Sequence, residues 1–306
     1  TAAKNKNGSA GDLGADLPRG PRVADVTKNI VVPATRLTNT HTSFAEVYMQ
    51  EGGGVGRATH LVIHARRGTW WGLVHACIVH TLGWTTGNEA RSLTTAQLKK
   101  ALRQHADKRS GADSMPLYWF DFFCMPQHGD PTAPSLSAGE NSAASGLAAW
   151  REILSEVKRC VLVIGEAEDV MGPAQGALTA PTPLALQRGW CCTELLLASA
   201  ARAEINLALS FAALHALSER LELRFGTPCA TVTNSIQSCW AEWQPTIVLG
   251  DTRCTVDADT KALQRAVKTA GGGLNIADRK LRKLLADGGT TAALGLLDHF
   301  KIHGAI

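Results

Sequence analysis

The strongest candidate for a reactive side chain in this sequence is the carboxyl group of Glu194. It stands in the stretch Trp190-Cys191-Cys192-Thr193-Glu194-Leu195, which follows a loop rich in proline and glycine and opens a segment that is apolar on most sides. Apolar residues all round predict a buried helix. A carboxylate near a helix start is stabilised by the helix dipole, so we expect Glu194 to be ionised. Two structural roles compete with a reactive one, namely capping this helix and pairing with an arginine.

Thiol and imidazole groups are weaker candidates. Cys124 and His128 lie four residues apart in one loop, but a cysteine nucleophile needs a base within hydrogen-bond reach, and this spacing alone does not provide it. Four histidines, at positions 60, 64, 75 and 80, fall on a predicted strand and on the helix that follows it. No carboxylate or cysteine completes a recognisable ligand set with them, so we expect structural histidines and no metal site.

Composition and charge limit the class of protein. The formal net charge is +4, from 31 basic and 27 acidic residues, so no strong field favours nucleic acid. The 8 cysteines have no regular spacing and form no CxxC pair, which is typical of a reduced, cytoplasmic chain. No apolar run is long enough to span a membrane. The chain begins at Thr1, which is compatible with removal of a targeting segment.

Short apolar runs alternate with helical patterns through the middle of the chain. We predict strands at 59–65, 117–123, 160–164, 205–209 and 244–249, and helices at 71–82, 92–106, 147–157, 190–203 and 212–221. Such alternation is typical of a doubly wound, flavodoxin-like α/β fold with a parallel sheet of about five strands. In such folds, ligands bind where loops leave the carboxyl ends of the strands.

The pattern divides the chain into three parts. Residues 1–57 are an N-terminal tail and arm, residues 58–250 are the α/β domain, and residues 251–306 are a small helical appendage at the C terminus. The appendage is predicted from three helical patterns separated by glycine clusters, at 257–270, 275–286 and 290–300.

Four segments, at 60–68, 118–121, 160–164 and 190–195, occur in an order that resembles the Toll/interleukin-1 receptor (TIR) family. Two stretches, Trp119 to Gln127 and Arg188 to Glu194, more narrowly resemble a variant of this family seen in algae and other protists. Trp190 to Leu195 resembles the Trp-Cys-x-x-Glu-Leu stretch that begins the helix after the third strand of the family. Tyr118 to Asp121 resembles the second strand, which ends in an aspartate, and the loop from Cys124 stands at the position of the variable BB loop. His60 to Gly68 and Cys160 to Ile164 resemble the first and third strands.

The resemblance implies that Glu194 cleaves the bond between nicotinamide and ribose in NAD, as some family members do with this glutamate. Breaking that bond develops positive charge on the ribose, which a fixed carboxylate stabilises. NAD is then a substrate, and no cofactor is expected. Loops near Glu194 would hold the dinucleotide, with five candidate contacts: Arg66 and Arg67 at its phosphates, Trp70 or Trp71 against a ring, and Asp121 in the cleft. The resemblance also implies self-association or binding of a partner protein.

Two other functions are compatible with the same residues. A non-catalytic interaction module would use the sheet as a scaffold, with Arg66-Arg67 and the proline-rich loop around Pro173, Pro181 and Pro183 binding a partner protein. An enzyme similar to a nucleoside deoxyribosyltransferase would use the same carboxylate on a nucleoside. An open cleft beside Glu194 favours an enzyme, whereas a sealed or salt-bridged Glu194 favours a scaffold.

Overall fold

The computed structural model contains one sheet of four parallel strands among the residues it describes. The strands are β1 (His60–Ile63), β2 (Tyr118–Trp119), β3 (Arg159–Ile164) and β4 (Glu204–Leu209), in the order β2-β1-β3-β4. This order is that of a doubly wound, flavodoxin-like fold, and it places the topological switch point between β1 and β3. The predicted fold class is confirmed, with four strands seen where about five were predicted.

The described part of the chain comprises residues 20–36, 42–83, 94–108, 115–127, 140–166, 183–213 and 273–284, with residues 216, 252, 260, 261, 263–265, 267 and 268. The predicted strand at 244–249 and the predicted helix at 290–300 lie outside it. So does most of the predicted BB loop.

Helices cover both faces of the sheet. In chain order they are α1 (Val23–Val26), a π-helical turn (Thr27–Val31), α2 (Val32–Arg36), α3 (Phe44–Gln50), α4 (Trp70–Leu82), α5 (Thr95–Lys108), α6 (Asp121–Cys124), α7 (Glu140–Glu156), a 3-10 turn (Leu184–Gln187) and α8 (Gly189–Ala200). Residues 274–284 are also helical. Among the described residues, no helix is both long and apolar enough to cross a membrane.

Alternate strand residues point to opposite faces of the sheet, and each face has its own apolar cluster. On one face, Leu162 belongs to a cluster with Trp150 of α7 and Leu195 of α8. On the other face, Val161 belongs to a cluster with Leu73 of α4. The sheet is therefore covered on both sides, which agrees with the near-continuous apolar character of its strands.

The C-terminal helical segment packs on the first of these clusters. Ala277 and Leu281 are fully buried and join the cluster of α7 and α8, as does Val267. The described residues within 260–268 and 273–284 agree with the two helices predicted at 257–270 and 275–286.

The N-terminal arm packs on the opposite face and holds the loop that follows β1. Val23 is 1% exposed and belongs to the second apolar cluster. Its backbone N–H donates to the carbonyl oxygen of Gly68 at 3.0 Å, and the N–H of Ala24 donates to that of Arg66 at 3.0 Å. These bonds fix the path of the loop between β1 and α4, which carries Arg66.

Strand β2 is shorter than predicted. The apolar run predicts a strand over 117–123, but only Tyr118 and Trp119 pair with β1. Asp121 Oδ1 accepts a hydrogen bond from the backbone N–H of Phe122 at 2.8 Å, and α6 begins at Asp121. Because such a local bond competes with the strand ladder, the chain turns at Asp121 and leaves its carboxyl group just beyond the strand.

Candidate functional site

Polar side chains collect at the carboxyl edge of the sheet. His64 and Arg66 follow β1, Asp121 follows β2, Glu166 follows β3 and Ser210 follows β4. Because the strands are parallel, these side chains share one edge, and this edge contains the β1/β3 switch point where doubly wound folds bind ligands.

Asp121 is the centre of a hydrogen-bonded group at this edge. Its Oδ1 lies 3.0 Å from His64 Nε2, and its Oδ2 accepts from Arg66 Nη2 at 2.7 Å and from Nε at 3.3 Å. Burial would raise the pKa of the Asp121 carboxyl, but the hydrogen bond from His64 and the charge of Arg66 hold it well below its usual range. Asp121 is therefore ionised, and His64 donates from Nε2.

Glu194 lies in the second turn of α8 and is partly buried. Its carboxyl group makes no hydrogen bond and no ion pair with any residue in the described ranges. Burial and then the nearby charge of Asp121 raise the pKa of Glu194 to about 8, although Arg188 and Arg66 act in the opposite direction. At neutral pH the Glu194 carboxyl is therefore mostly protonated.

The expectation that the helix dipole keeps Glu194 ionised is wrong. The dipole acts within the first turn of a helix, and Glu194 lies five residues beyond Gly189, where α8 begins. Burial and the charge of Asp121, which comes from another strand, dominate instead. Glu194 also does not cap α8, because the N-cap residue is Arg188 and no side-chain hydrogen bond caps that end.

The structure brings Arg66 and Asp121 together near Glu194, whereas the other three predicted contacts have different neighbours. Trp70 packs against Phe122 and Phe123, with ring centroids 6.1 and 5.9 Å away, and so belongs to the aromatic part of the core. Trp71 is 51% exposed, and its ring lies 5.9 Å from that of His75. Arg67 is exposed and makes no hydrogen bond or ion pair within the described ranges.

Three residues of this edge were not predicted as site residues. Glu166 Oε1 accepts from the backbone N–H of Thr69 at 2.6 Å, which anchors the N-cap of α4. His64 orients Asp121, and Arg188 acts electrostatically on Glu194. Glu166 follows the strand predicted at 160–164, and His64 lies near the end of the strand predicted at 59–65. The rule that ligands bind at the carboxyl ends of strands could therefore have identified both.

The cysteines at this edge are not activated. Cys191 Sγ donates to the backbone oxygen of His64 at 3.2 Å, and burial, followed by the charge of Glu194, raises the pKa of its thiol well above the ordinary value. Burial also raises the pKa of Cys124, and its suggested partner His128 lies outside the described residues. No group of three His, Cys, Asp or Glu residues with metal-binding geometry occurs in the described ranges.

Two loops that follow strands at this edge, residues 128–139 and 167–182, lie outside the described part of the chain. Beside α8, a small pocket lies between Gly189 and Thr193 of the helix and Leu263 of the C-terminal segment. Glu194 does not line this pocket, and it forms no salt bridge within the described ranges.

Comparison of the chain with protein-family models, with curated proteins and with solved structures gives no match. The resemblance to the TIR family is therefore still a prediction from the sequence.

Proposed function

We propose that this chain is a TIR-like domain of signalling or defence that hydrolyses the nicotinamide–ribose bond of NAD, with Glu194 as its catalytic carboxyl group. The observation that carries the proposal is the environment of Glu194. Its carboxyl group is partly buried at the carboxyl edge of the sheet, close to the anion of Asp121, without a hydrogen-bond partner in the described ranges.

Such an environment opposes folding. A carboxyl group that is desolvated, unpaired and close to another negative charge destabilises the folded state once it ionises. Structural carboxylates are instead paired, as Asp121 is with Arg66 and Glu166 is with Thr69. Strongly perturbed pKa values are concentrated at functional sites, and this contrast at one edge of the sheet supports a reactive role for Glu194.

The chemistry needs one ionised carboxylate and a water molecule. The bond from the ribose carbon to the nicotinamide nitrogen breaks, and its electron pair stays on nicotinamide, which leaves as a neutral molecule without a general acid. The ionised Glu194 stabilises the positive charge left on the ribose, as fixed carboxylates do in glycoside hydrolysis. Water then adds to the ribose carbon and loses a proton, which yields ADP-ribose and one H⁺.

Substrate binding promotes the ionisation that this reaction requires. The nicotinamide ring of NAD carries a positive charge, and an opposite charge within a few ångströms favours the ionised form of a carboxyl group. The ring would thus lower the pKa of Glu194 from its value of about 8 in the free protein. Binding of the correct, positively charged substrate and formation of the catalytic carboxylate are therefore linked.

A protein-interaction module is the second candidate function, and exposed apolar side chains favour it. Three large side chains in the N-terminal helical segments are exposed, namely Ile30 (54%), Tyr48 (50%) and Met49 (54%). Large apolar side chains that are exposed in the free protein are typical of protein interfaces. A partner protein or a second copy of the chain would cover them. This candidate does not require Glu194 to react.

Product analysis distinguishes the candidates. Purified protein at high concentration is incubated with NAD, and the products are followed by proton NMR. The proposal predicts free nicotinamide and ADP-ribose in equal amounts. A parallel incubation contains a deoxynucleoside and a free base. Transfer of deoxyribose between the bases, with no reaction of NAD, would instead indicate the nucleoside enzyme. No turnover of NAD or of the deoxynucleoside would favour the interaction module. The reaction of NAD is also measured for Glu194→Gln, with Glu204→Gln as a matched control, since Glu204 is an exposed glutamate at the start of β4.

A further inference from the structure

The hydrogen bonds of Asp121 use the whole acceptor capacity of its side chain. An ionised carboxylate has about four lone-pair sites. The side chain of Asp121 accepts four hydrogen bonds, from His64 Nε2, from the backbone N–H of Phe122, and from Nε and Nη2 of Arg66. No acceptor site is left for a hydroxyl group of a substrate, so the predicted role of Asp121 as a direct contact in the cleft does not fit this geometry.

We infer that Asp121 is a positioning residue, which fixes the guanidinium group of Arg66 beside Glu194 so that its remaining N–H groups receive an anionic phosphate of the substrate. The phosphate part of this inference rests on the proposed function, because NAD supplies the phosphates. The positioning part rests on the geometry alone.

The donors of Arg66 support this assignment. A guanidinium group has five N–H donors, and the bonds to Asp121 use two of them. The other donors make no hydrogen bond within the described ranges, and the side chain is 37% exposed. A planar guanidinium group with a free edge is suited to bidentate recognition of phosphate. By contrast, Arg67 has no such partner among the residues that the structure describes.

The backbone of Arg66 is held as firmly as its side chain. The N–H of Ala24 in the N-terminal arm donates to the carbonyl oxygen of Arg66 at 3.0 Å. Three residues further on, the loop is anchored by the hydrogen bond from Thr69 to Glu166. Because both ends of the loop and the guanidinium group are fixed, Arg66 loses little conformational freedom when it binds an anion.

Asp121 and Arg66 also set the electrostatic environment of Glu194 in opposite directions. The charges of Asp121, Arg66 and Arg188 shift the pKa of Glu194. The charge of Glu194 in turn raises the pKa of two thiols, those of Cys191 and Cys160. The two thiols are neutral, since burial raises the pKa of both. Asp121 disfavours the ionised form of Glu194, whereas Arg66 and Arg188 favour it. While Asp121 holds Arg66, two of the guanidinium N–H donors are directed at Asp121 and not at Glu194.

A titration of Glu194 tests the positioning role without any turnover. The protein is labelled with carbon-13 in the glutamate carboxyl groups, and the Glu194 signal is assigned by its loss in Glu194→Gln. We expect Asp121→Asn to lower the midpoint of this signal by about one pH unit or more, because it removes a negative charge and releases Arg66. Arg66→Gln is expected to raise the midpoint. Unchanged midpoints in both variants would overturn the inference.

Two controls separate positioning from general damage to the edge. Arg67→Gln removes an arginine from the adjacent position, and Glu166→Gln removes the charge of another carboxylate at this edge while it keeps an oxygen that can accept from Thr69. Both should leave the Glu194 midpoint within about 0.3 units of wild type, since neither group contributes to the pKa of Glu194. Should Asp121→Asn fail to fold, Arg66→Gln still reports on the pair, and a midpoint that does not rise counts against it.

A comparison of two substrates tests the phosphate-binding role. Nicotinamide riboside has the scissile bond of NAD but no phosphate. We expect Asp121→Asn to raise KM for NAD about tenfold or more and to change KM for nicotinamide riboside far less, because a misplaced guanidinium group loses a charge-assisted hydrogen bond. An equal change for both substrates would contradict the phosphate assignment. A wild-type protein that turns over neither substrate would refute the proposed function and the phosphate role, while the titration would still decide the positioning role.

Discussion

Replacing Glu194 with glutamine should stabilise this protein, and the gain should grow with pH. Glutamine has the shape of the protonated glutamate and cannot ionise. The folded state raises the pKa of Glu194 from 4.5 to about 8. Above pH 4.5 the unfolded chain releases the Glu194 proton, while the folded protein retains it until the pH reaches about 8. The folded state of wild type therefore has its full stability below pH 4.5 and loses stability as the pH rises from 4.5 through 8. The glutamine variant lacks this loss.

The size of the gain follows from the same shift. One pKa unit corresponds to about 1.4 kcal/mol, so between pH 4.5 and pH 7 wild type loses at most about 3 kcal/mol relative to the variant. The Glu194 side chain is only partly buried, and solvent screening reduces this limit. We therefore expect Glu194→Gln to be more stable than wild type by about 1–3 kcal/mol at pH 7 and by roughly nothing at pH 4.

Urea denaturation at pH 4, 5.5, 7 and 8.5 measures this difference, with Glu204→Gln as the matched control. Glu204 forms an exposed ion pair with Arg159 at 3.4 Å, which contributes little to stability. Its replacement should change stability by less than about 1 kcal/mol, without the increase through the neutral range that is expected for Glu194. A Glu194→Gln variant that is less stable than wild type at pH 8.5 would show that the carboxylate is favourably paired, and our reasoning about the site would then be wrong.

Three further predictions concern pH and packing. If Glu194 must ionise, kcat/KM for NAD should rise about tenfold between pH 7 and pH 9, the ratio of ionised fractions for a pKa of about 8, and a flat profile of initial rates would contradict this. Gly72→Ala should lower the free energy of unfolding by about 1–3 kcal/mol, because the added Cβ would lie 2.7 Å from the carbonyl oxygen of Gly165. Gly54→Ala is the control and should be nearly neutral, since a Cβ at Gly54 meets nothing within 4 Å. Urea denaturation compares the two variants. Burial lowers the pKa of His60 from 6.5 to about 4, so wild type should lose up to about 3 kcal/mol of stability as the pH falls through this window, and thermal melts of His60→Gln should show a weaker dependence.

The sequence was sufficient to predict the elements whose patterns are local. Short apolar runs and helical spacing predicted β1, β3, β4 and helix α4 to within a few residues. The predicted length of β2 was wrong, because the hydrogen bond from the Phe122 N–H to the side chain of Asp121 accompanies a turn of the chain after Trp119. An apolar run in the sequence does not predict this hydrogen bond.

The environment of Glu194 could not be predicted because it is assembled from distant parts of the chain. His64 and Arg66 lie 57 and 55 residues from Asp121, and Cys191 lies 127 residues from His64. No local sequence pattern predicts that Arg66 pairs with the carboxyl group of Asp121 and not with that of Glu194. That choice leaves Asp121 ionised and Glu194 protonated, the reverse of what the helix dipole alone suggests for Glu194.

The rate of nicotinamide release from NAD, measured at pH 8 for wild type and Glu194→Gln side by side, tests the central claim most directly. Both proteins are assayed at high concentration, after urea denaturation has shown that both are folded. We predict measurable release by wild type and a rate lower by about 100-fold or more in the variant, the usual loss when a group that stabilises developing charge is removed. Equal rates in the two proteins, or no release by either, would contradict the claim that Glu194 catalyses this reaction.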